Sequence, residues 1–404
     1  MTSRERVRAM FRGELKDGFC MSIGGMANDN MSAYAYAKLL RYLGMDRPLY
    51  IYDLLQNIAQ LDPEVIGRLG GDFVHAQRPK YRFDQDQKLW KPGTLRDGTP
   101  CYYASEYDPK DDGKGNLIIE MDGMPYAKMP KNGLYYDIIA SPLADVEDPE
   151  ELRLFHPAVP MSDEDVSWTA GEIRRLYKTT DKAIVLNFAG QLVEQGQRDF
   201  GFESFYYNLA AEQELMHAYF RMITDVYMSN LSRILALAGD MVDVVWFCDD
   251  MGTQKALQFS ISMYREMIRP YEKEMWDFVH AHYPHIKILF HCCGAIFDLI
   301  PHLIGTGADM LNVQISADGM DPQRLKDTYG KDVIFWGCGV DTQRLPQMKT
   351  KEEILGHVRR LVDVFSKGGR YVFSQVHNFQ ADTAPETICA IYDMVREIRD
   401  ARER

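Results

Sequence analysis

His291 and Cys293 stand two residues apart in FHCCG. Two residues is the repeat of an extended strand, so the two side chains point to one face and Cys292 to the other. Gly294 follows at once and puts the pair at the C-terminal end of that strand. An imidazole and a thiolate converging there supply half of a tetrahedral zinc site. A buried, hydrogen-bonded histidine beside a small core cysteine uses the same residue types and is the competing reading. Further ligands have to come from other strand ends: His377 in SQVHNFQ is the first candidate and Cys338 in FWGCGVD the second.

Oxygen-bearing groups cluster at similar places. Glu194, just past NFAGQLV, and Asp249 or Asp250 in CDDMGTQ offer oxygen ligands or general acid and base groups. Cys248 directly precedes Asp249, so a regular strand turns only one of them inward, and polarity favours the carboxylates. Gln254 in the same segment, Asp341 and Gln343 in GVDTQ, and Asn378 beside His377 are candidate substrate contacts at the rim, with solvated loop residues as the alternative. Cys20, Cys248 and Cys389 read as small buried hydrophobes. Tyr102, Tyr103, Tyr107, Tyr126, Tyr135 and Tyr136 would suit a planar substrate, and equally the packing of a β-hairpin region.

These residues share a site only if the strands carrying them curl into one ring. From about residue 182 the chain alternates short β-branched or aromatic runs with helical patterns, as parallel βα units do. The runs are 183–190, 242–250, 286–294, 309–316, 332–341 and 370–378, with two more upstream at 18–25 and 71–77. Eight is the number at which a parallel sheet closes into a filled barrel, so a (β/α)8 TIM barrel is expected. An open doubly wound sheet is the rival, but GGMAND after the first run lacks the G-x-G-x-x-G spacing of a phosphate loop. Residues 78–140 are dense in Lys, Asp, Gly, Pro and Tyr, and read as a β-hairpin insertion over the mouth of a single 1–404 domain.

The 404 residues are 46% hydrophobic and 26% charged, enough apolar material for a large core. A net charge of -13 with no long basic run argues against a nucleic-acid partner. The opening MTSRERVRAMFRGELKDG puts Val7, Met10, Phe11 and Leu15 at helical spacing and has no apolar stretch of signal-peptide length. No segment approaches the roughly 18 to 20 apolar residues a bilayer requires. Seven cysteines, an odd number, suit reduced thiols better than a disulfide framework, and a cytoplasmic location is expected.

Taken in order, TSRERVRAMFRGE (2–14), YDLLQNIAQLDPEVIGRLGGD (52–72), DDMGTQ (249–254), ISMYREMIRPYEKEM (261–275), H-x-C-G (291–294), FWGCGVDTQ (335–343) and GGRYVFSQVHNFQADTAPETI (368–388) make the chain resemble the uroporphyrinogen decarboxylase superfamily, including its corrinoid-dependent methyltransferase branch. The resemblance runs almost end to end and implies the same barrel. In the decarboxylases an arginine-rich segment after the first strand grips substrate carboxylates. Here MSIGGMANDNMSAYAY carries no cation between Lys16 and Lys38, which argues against a porphyrinogen. Asp53 nevertheless falls where that family's catalytic aspartate stands.

The methyltransferase branch binds zinc through H-x-C and a third ligand in the last strand, usually cysteine; the matching position here is His377, with Cys338 as a substitute. The resemblance then implies methyl transfer between a small substrate, a methoxylated aromatic among the candidates, and the cobalt of cobalamin on a separate corrinoid protein, with Glu194 or Asp250 binding substrate or supplying a proton. No D-x-H-x-x-G cobalamin motif occurs in this chain. A homodimer is also implied. The alternatives are a decarboxylase of a porphyrinogen or other carboxylate, which Arg78, Arg198 or Arg344 lining the pocket would favour, and a barrel that only binds.

Overall fold

The computed structural model describes residues 1–77, 88–121, 123–155 and 160–403. Eight parallel strands form its central sheet: β1 (Cys20–Met21), β2 (Phe73–Ala76), β3 (Ala183–Ala189), β4 (Val244–Cys248), β5 (Lys287–Cys292), β6 (Met310–Val313), β7 (Ile334–Trp336) and β8 (Tyr371–Phe373). Their order is β1-β8-β7-β6-β5-β4-β3-β2. β1 and β2 meet across the seam through Asp72, whose N–H donates to Met21 O (2.7 Å) and whose Oδ2 accepts from Met21 N–H (2.8 Å). The result is the expected (β/α)8 barrel, nearly closed.

Alternation decides what faces where. Inward positions hold Phe73, Val185, Trp246, Leu289, Met310, Ile334, Trp336 and Val372, and these fill the barrel instead of leaving a pore. Outward neighbours such as Leu186, Phe247, Phe290, Leu311 and Phe373 join the large core shared with the helices. The N-terminal helix Ser3–Phe11 starts at a capping box between Thr2 and Glu5, and its Val7 and Met10 join the barrel's interior cluster. The helical spacing extends to Leu15, but the helix stops at Phe11 and Leu15 packs against that cluster from beyond its end.

All eight expected strands are present, and each is shorter than its apolar run. The run 242–250 yields Val244–Cys248, and 332–341 yields Ile334–Trp336. The trimmed C-terminal residues become mouth loops, where polar side chains find partners other than the ladder.

The inserted region is β-rich, as expected, though it does not stand alone. Trp90–Thr94 and Pro100–Ala104 share a four-stranded sheet with Tyr50–Asp53 and Ile58–Gln60. Lys110–Asp111, Leu117–Met121, Met124–Met129 and Asp137–Ile138 form a second, antiparallel sheet. The tail of the insertion reaches the mouth, since Tyr135 OH donates to Gln380 Oε1, three residues past His377. No helix among the described residues is long and apolar enough to cross a membrane.

Candidate metal centre

His291, the penultimate residue of β5, faces into the barrel, register-paired with Cys248 of β4 and Asn312 of β6. A relay orients its ring. Asn312 Nδ2 donates to the Trp336 carbonyl (2.8 Å), which turns Asn312 Oδ1 toward His291, and His291 Nδ1–H donates to that oxygen. Nε2 is therefore the bare nitrogen and aims at the mouth. Gly337 makes the relay possible: a Cβ there, at φ 98°, would lie 2.3 Å from Asn312 Nδ2.

Cys293 follows on the same face, its Sγ 3.4 Å from His291 Nε2. Its N–H donates to Asp250 Oδ1 (2.8 Å), and the same oxygen lies 3.5 Å from His291 Nε2. Gly294, at φ 95°, lets the chain leave the strand against the Gly252 backbone, which a Cβ would approach to 2.3 Å. Its N–H donates to Gln314 Oε1 at 2.9 Å.

His377, beyond β8, completes the group. One donor atom from each of His291, Cys293 and His377 lies within 4.8 Å of the other two. The imidazole centroids are 5.8 Å apart. Asn28, from the loop after β1, donates through Nδ2 to both Nε2 atoms, at 3.2 and 3.3 Å.

The electrostatics suit neutral donors. Burial holds the His291 imidazole below the ordinary histidine range, against the Asn312 bond and the charge of Glu194. His377 is lowered by burial and then by His291, with Asp250 opposing. The Cys293 thiol is pushed well up by burial, then by Asp250. Two bare imidazole nitrogens and a thiol, with His291 buried and the other two half-buried, form a soft, cation-accepting set.

The other expected site residues divide. Glu194 is near enough for its charge to act on His291 and Cys293, and it pairs with Arg198 at 3.6 Å. Asp250 touches the cluster. Asp249 does not: it turns away and accepts the N–H groups of Leu192 (2.7 Å), Val193 (3.0 Å) and Glu194 (2.8 Å), capping the helix Val193–Phe200. Of the neighbours Cys248 and Asp249, it is the cysteine that joins the interior, because three unsatisfied helix N–H groups on the outer side capture the carboxylate.

Cys338 also departs from expectation. Its φ of 59° swings it into the outer core, where Sγ lies 3.8 Å from Val313 O, outside the metal-ligand group. Asp341 is buried and caps its own turn through Gln343 N–H and Arg344 N–H. Gln343 accepts from Ser316 Oγ at 2.9 Å. Asn378 Oδ1 accepts Asn30 N–H at 2.8 Å and ties the β8 loop to the β1 loop. Gln254 is exposed, and Asp53 accepts Gln56 N–H (2.9 Å) in a turn between two strands of the outer sheet.

Of the three arginines, Arg198 bonds Gln191 (2.6 Å), Arg344 sits exposed beside Asp341, and Arg78 lies outside the described residues. Tyr103, Tyr107, Tyr126 and Tyr136 are buried, with Tyr107 and Tyr136 sharing a 2.6 Å hydroxyl contact, so packing accounts for them. Tyr103 and Tyr107 also line a cleft of about 290 Å³ between the insertion and Tyr34 and Asn57.

Asn28, Asn312 and Gln314 escaped the sequence reading. The signal for the last two was present, since Asn312 and Gln314 alternate on a strand as His291 and Cys293 do. Asn28 carried none, being one polar residue in a loop of several.

Fold and cluster together define a (β/α)8 barrel with a candidate metal centre where its strands end. Residues 138–398 match the uroporphyrinogen decarboxylase (URO-D) family, and the chain belongs to that family. Among solved structures, a methyltransferase from Methanosarcina mazei is similar over 98% of this chain and 99% of its own, at 13% identity and TM-score 0.59. A psychrophilic glycoside hydrolase family 10 endo-beta-1,4-xylanase matches 53% of this chain and 84% of its own at 9% identity, with a TM-score of 0.30. No curated protein matches the sequence.

Proposed function

We propose that the chain is the zinc-dependent methyltransferase component of a corrinoid system, moving a methyl group between a small substrate and the cobalt of a separate corrinoid protein. The observation that carries this reading is the convergence of His291, Cys293 and His377 on one point at the barrel mouth. The donor set fits zinc, because both imidazole Nε2 atoms and the sulfur turn toward the same space. The full-length likeness to a methyltransferase barrel agrees with it. Zinc held there would supply Lewis acidity toward the methyl donor's heteroatom, or keep an acceptor thiol as thiolate.

The chain's own residues supply the rest. Asn312 fixes the His291 ring, and burial of His291, 2% exposed, keeps bulk water from it. Asp250 holds the Cys293 backbone and stands beside the cluster, so it and Glu194 are the groups able to give a proton to the demethylated leaving group. On the Nε2 side of His291 a porphyrinogen's carboxylates would meet Asn28, Cys293 and Asp250, and none of these is cationic. A small methoxylated aromatic suits such a site better.

The purified chain should carry close to one zinc per molecule by elemental analysis, and His291→Ala or Cys293→Ser should lose it with the fold intact. With a cobalt(I) corrinoid and a methoxylated aromatic donor it should form methylcobalamin. Zinc retained in both variants, or decarboxylation without methyl transfer, would sink the reading.

A further inference from the structure

We propose that Asn28 is the fourth ligand of the metal centre: its amide now bridges the two imidazoles, and on metal loading it turns to present Oδ1, at the coordination position that the methyl donor later takes. This rests on the metal reading above and goes beyond it by naming the residue that holds the exchangeable position.

Three observations carry it. First, the hydrogen-bond relay leaves no freedom over which Asn28 atom faces the imidazoles. Trp336 O sets the Asn312 amide, Asn312 Oδ1 takes the proton on His291 Nδ1, and Nε2 is left as an acceptor. Only an N–H donor satisfies it, so Asn28 Nδ2 is the atom at 3.2 Å from His291 and 3.3 Å from His377. Second, those lone pairs are the ones a cation would use, and an ion placed there would meet the amide hydrogens. The amide must therefore move when metal enters.

Third, Asn28 Oδ1 is buried without a hydrogen-bond partner among the described residues. An unsatisfied buried carbonyl is costly, and a half-turn about Cβ–Cγ would swing it toward the ion, where a hard oxygen donor completes a four-coordinate set with two nitrogens and one sulfur.

The backbone around Asn28 is already rigid, so the motion is confined to one side chain. Asp29 accepts from Met26 N–H (2.9 Å) and Trp336 Nε1–H (2.8 Å), its carbonyl accepts Gly24 N–H (2.7 Å), and Asn30 N–H donates to Asn378 (2.8 Å). A neutral amide oxygen binds zinc more weakly than histidine or cysteine does. Such a ligand stabilises the resting centre and yields to a substrate heteroatom, which fixed His and Cys ligands cannot do.

The test uses the purified full chain with zinc alone and cobalt(II) alone. Zinc affinity is read by competition with a chromophoric chelator, and coordination by the cobalt(II) visible spectrum. Asn28→Ala should keep one metal per chain, bind zinc about 10- to 100-fold more weakly, and shift the cobalt spectrum. Asn28→Asp, of the same shape and negatively charged, should bind zinc more tightly than the parent, and it carries the test alone if the alanine variant does not fold. If both variants match the parent in affinity and spectrum while His291→Ala abolishes binding, the Asn28 role is overturned and the metal centre stands. If zinc binding ignores His291→Ala and Cys293→Ser, both readings fall.

Discussion

Asn312 sets the tautomer and the orientation of the His291 ring. Remove the Asn312 amide and two buried groups, the Trp336 carbonyl and the His291 Nδ1–H, lose their partners. Asn312→Ala should cost about 1–3 kcal/mol of stability in denaturant titration and weaken zinc about 10- to 100-fold in chelator competition. An unchanged affinity would mean that the ring is held by the strand alone. The spacing of His291 and Cys293 announced the pair from the sequence, since strand alternation needs no tertiary information. Asn312 became their partner only because β5 and β6 register His291 opposite Asn312. Cys338 failed as a ligand for the converse reason, a positive φ after β7 that no alternation rule foresees.

Behind β5 the helix Arg269–His282 presents a buried acid to the outer face of the site strand. Glu272 Oε2 accepts from Tyr264 OH at 2.7 Å, its other oxygen has no partner among the described residues, and its charge reaches Cys292. Burial raises the carboxyl from 4.5 to about 7, with only the Tyr264 bond opposing. A pKa higher in the folded than in the unfolded chain means that the fold binds the extra proton. The stabilisation is complete below about pH 4.5 and is lost as pH rises through about 7. Glu272→Gln should flatten that slope and be more stable than the parent at pH 8, by on the order of 3 kcal/mol. Denaturant midpoints measured from pH 4 to 8 would show it, and parallel curves for the two proteins would refute it. The same scale explains Asp249, which reads as a pocket acid in a linear sequence and is taken by the first turn of the helix after β3.

Across the whole barrel, closure is concentrated at Asp72. Besides bridging β1 and β2, its carboxylate meets Arg6 of the first helix at 2.7 Å and Arg399 of the last at 3.4 Å, while Arg6 also pairs with Glu403. Seam, N-terminus and C-terminal helix therefore share one buried charge, at the end of the barrel opposite the metal centre. Asp72→Ala takes the shared carboxylate from two buried guanidinium groups, leaving Arg6 with Glu403 and Arg399 with Asp400, and should destabilise the chain by about 3 kcal/mol in urea unfolding. The fraction that remains folded should bind zinc as the parent does. A loss below 1 kcal/mol would place barrel closure elsewhere.

Periodicity alone determined the eight parallel strands, the β-rich insertion and the shared face of His291 and Cys293, because hydrophobic alternation and strand spacing are local properties of the chain. Which polar groups meet at the mouth is not local. His377, 84 positions on from Cys293 in the chain numbering, and Asn28, from the opposite end, reach the same point only once the sheet curls and β8 pairs with β1. That closure, together with the register between neighbouring strands, selected the cluster, sent Asp249 to a helix end and Cys338 to the outer core, and left an amide oxygen buried beside two imidazoles.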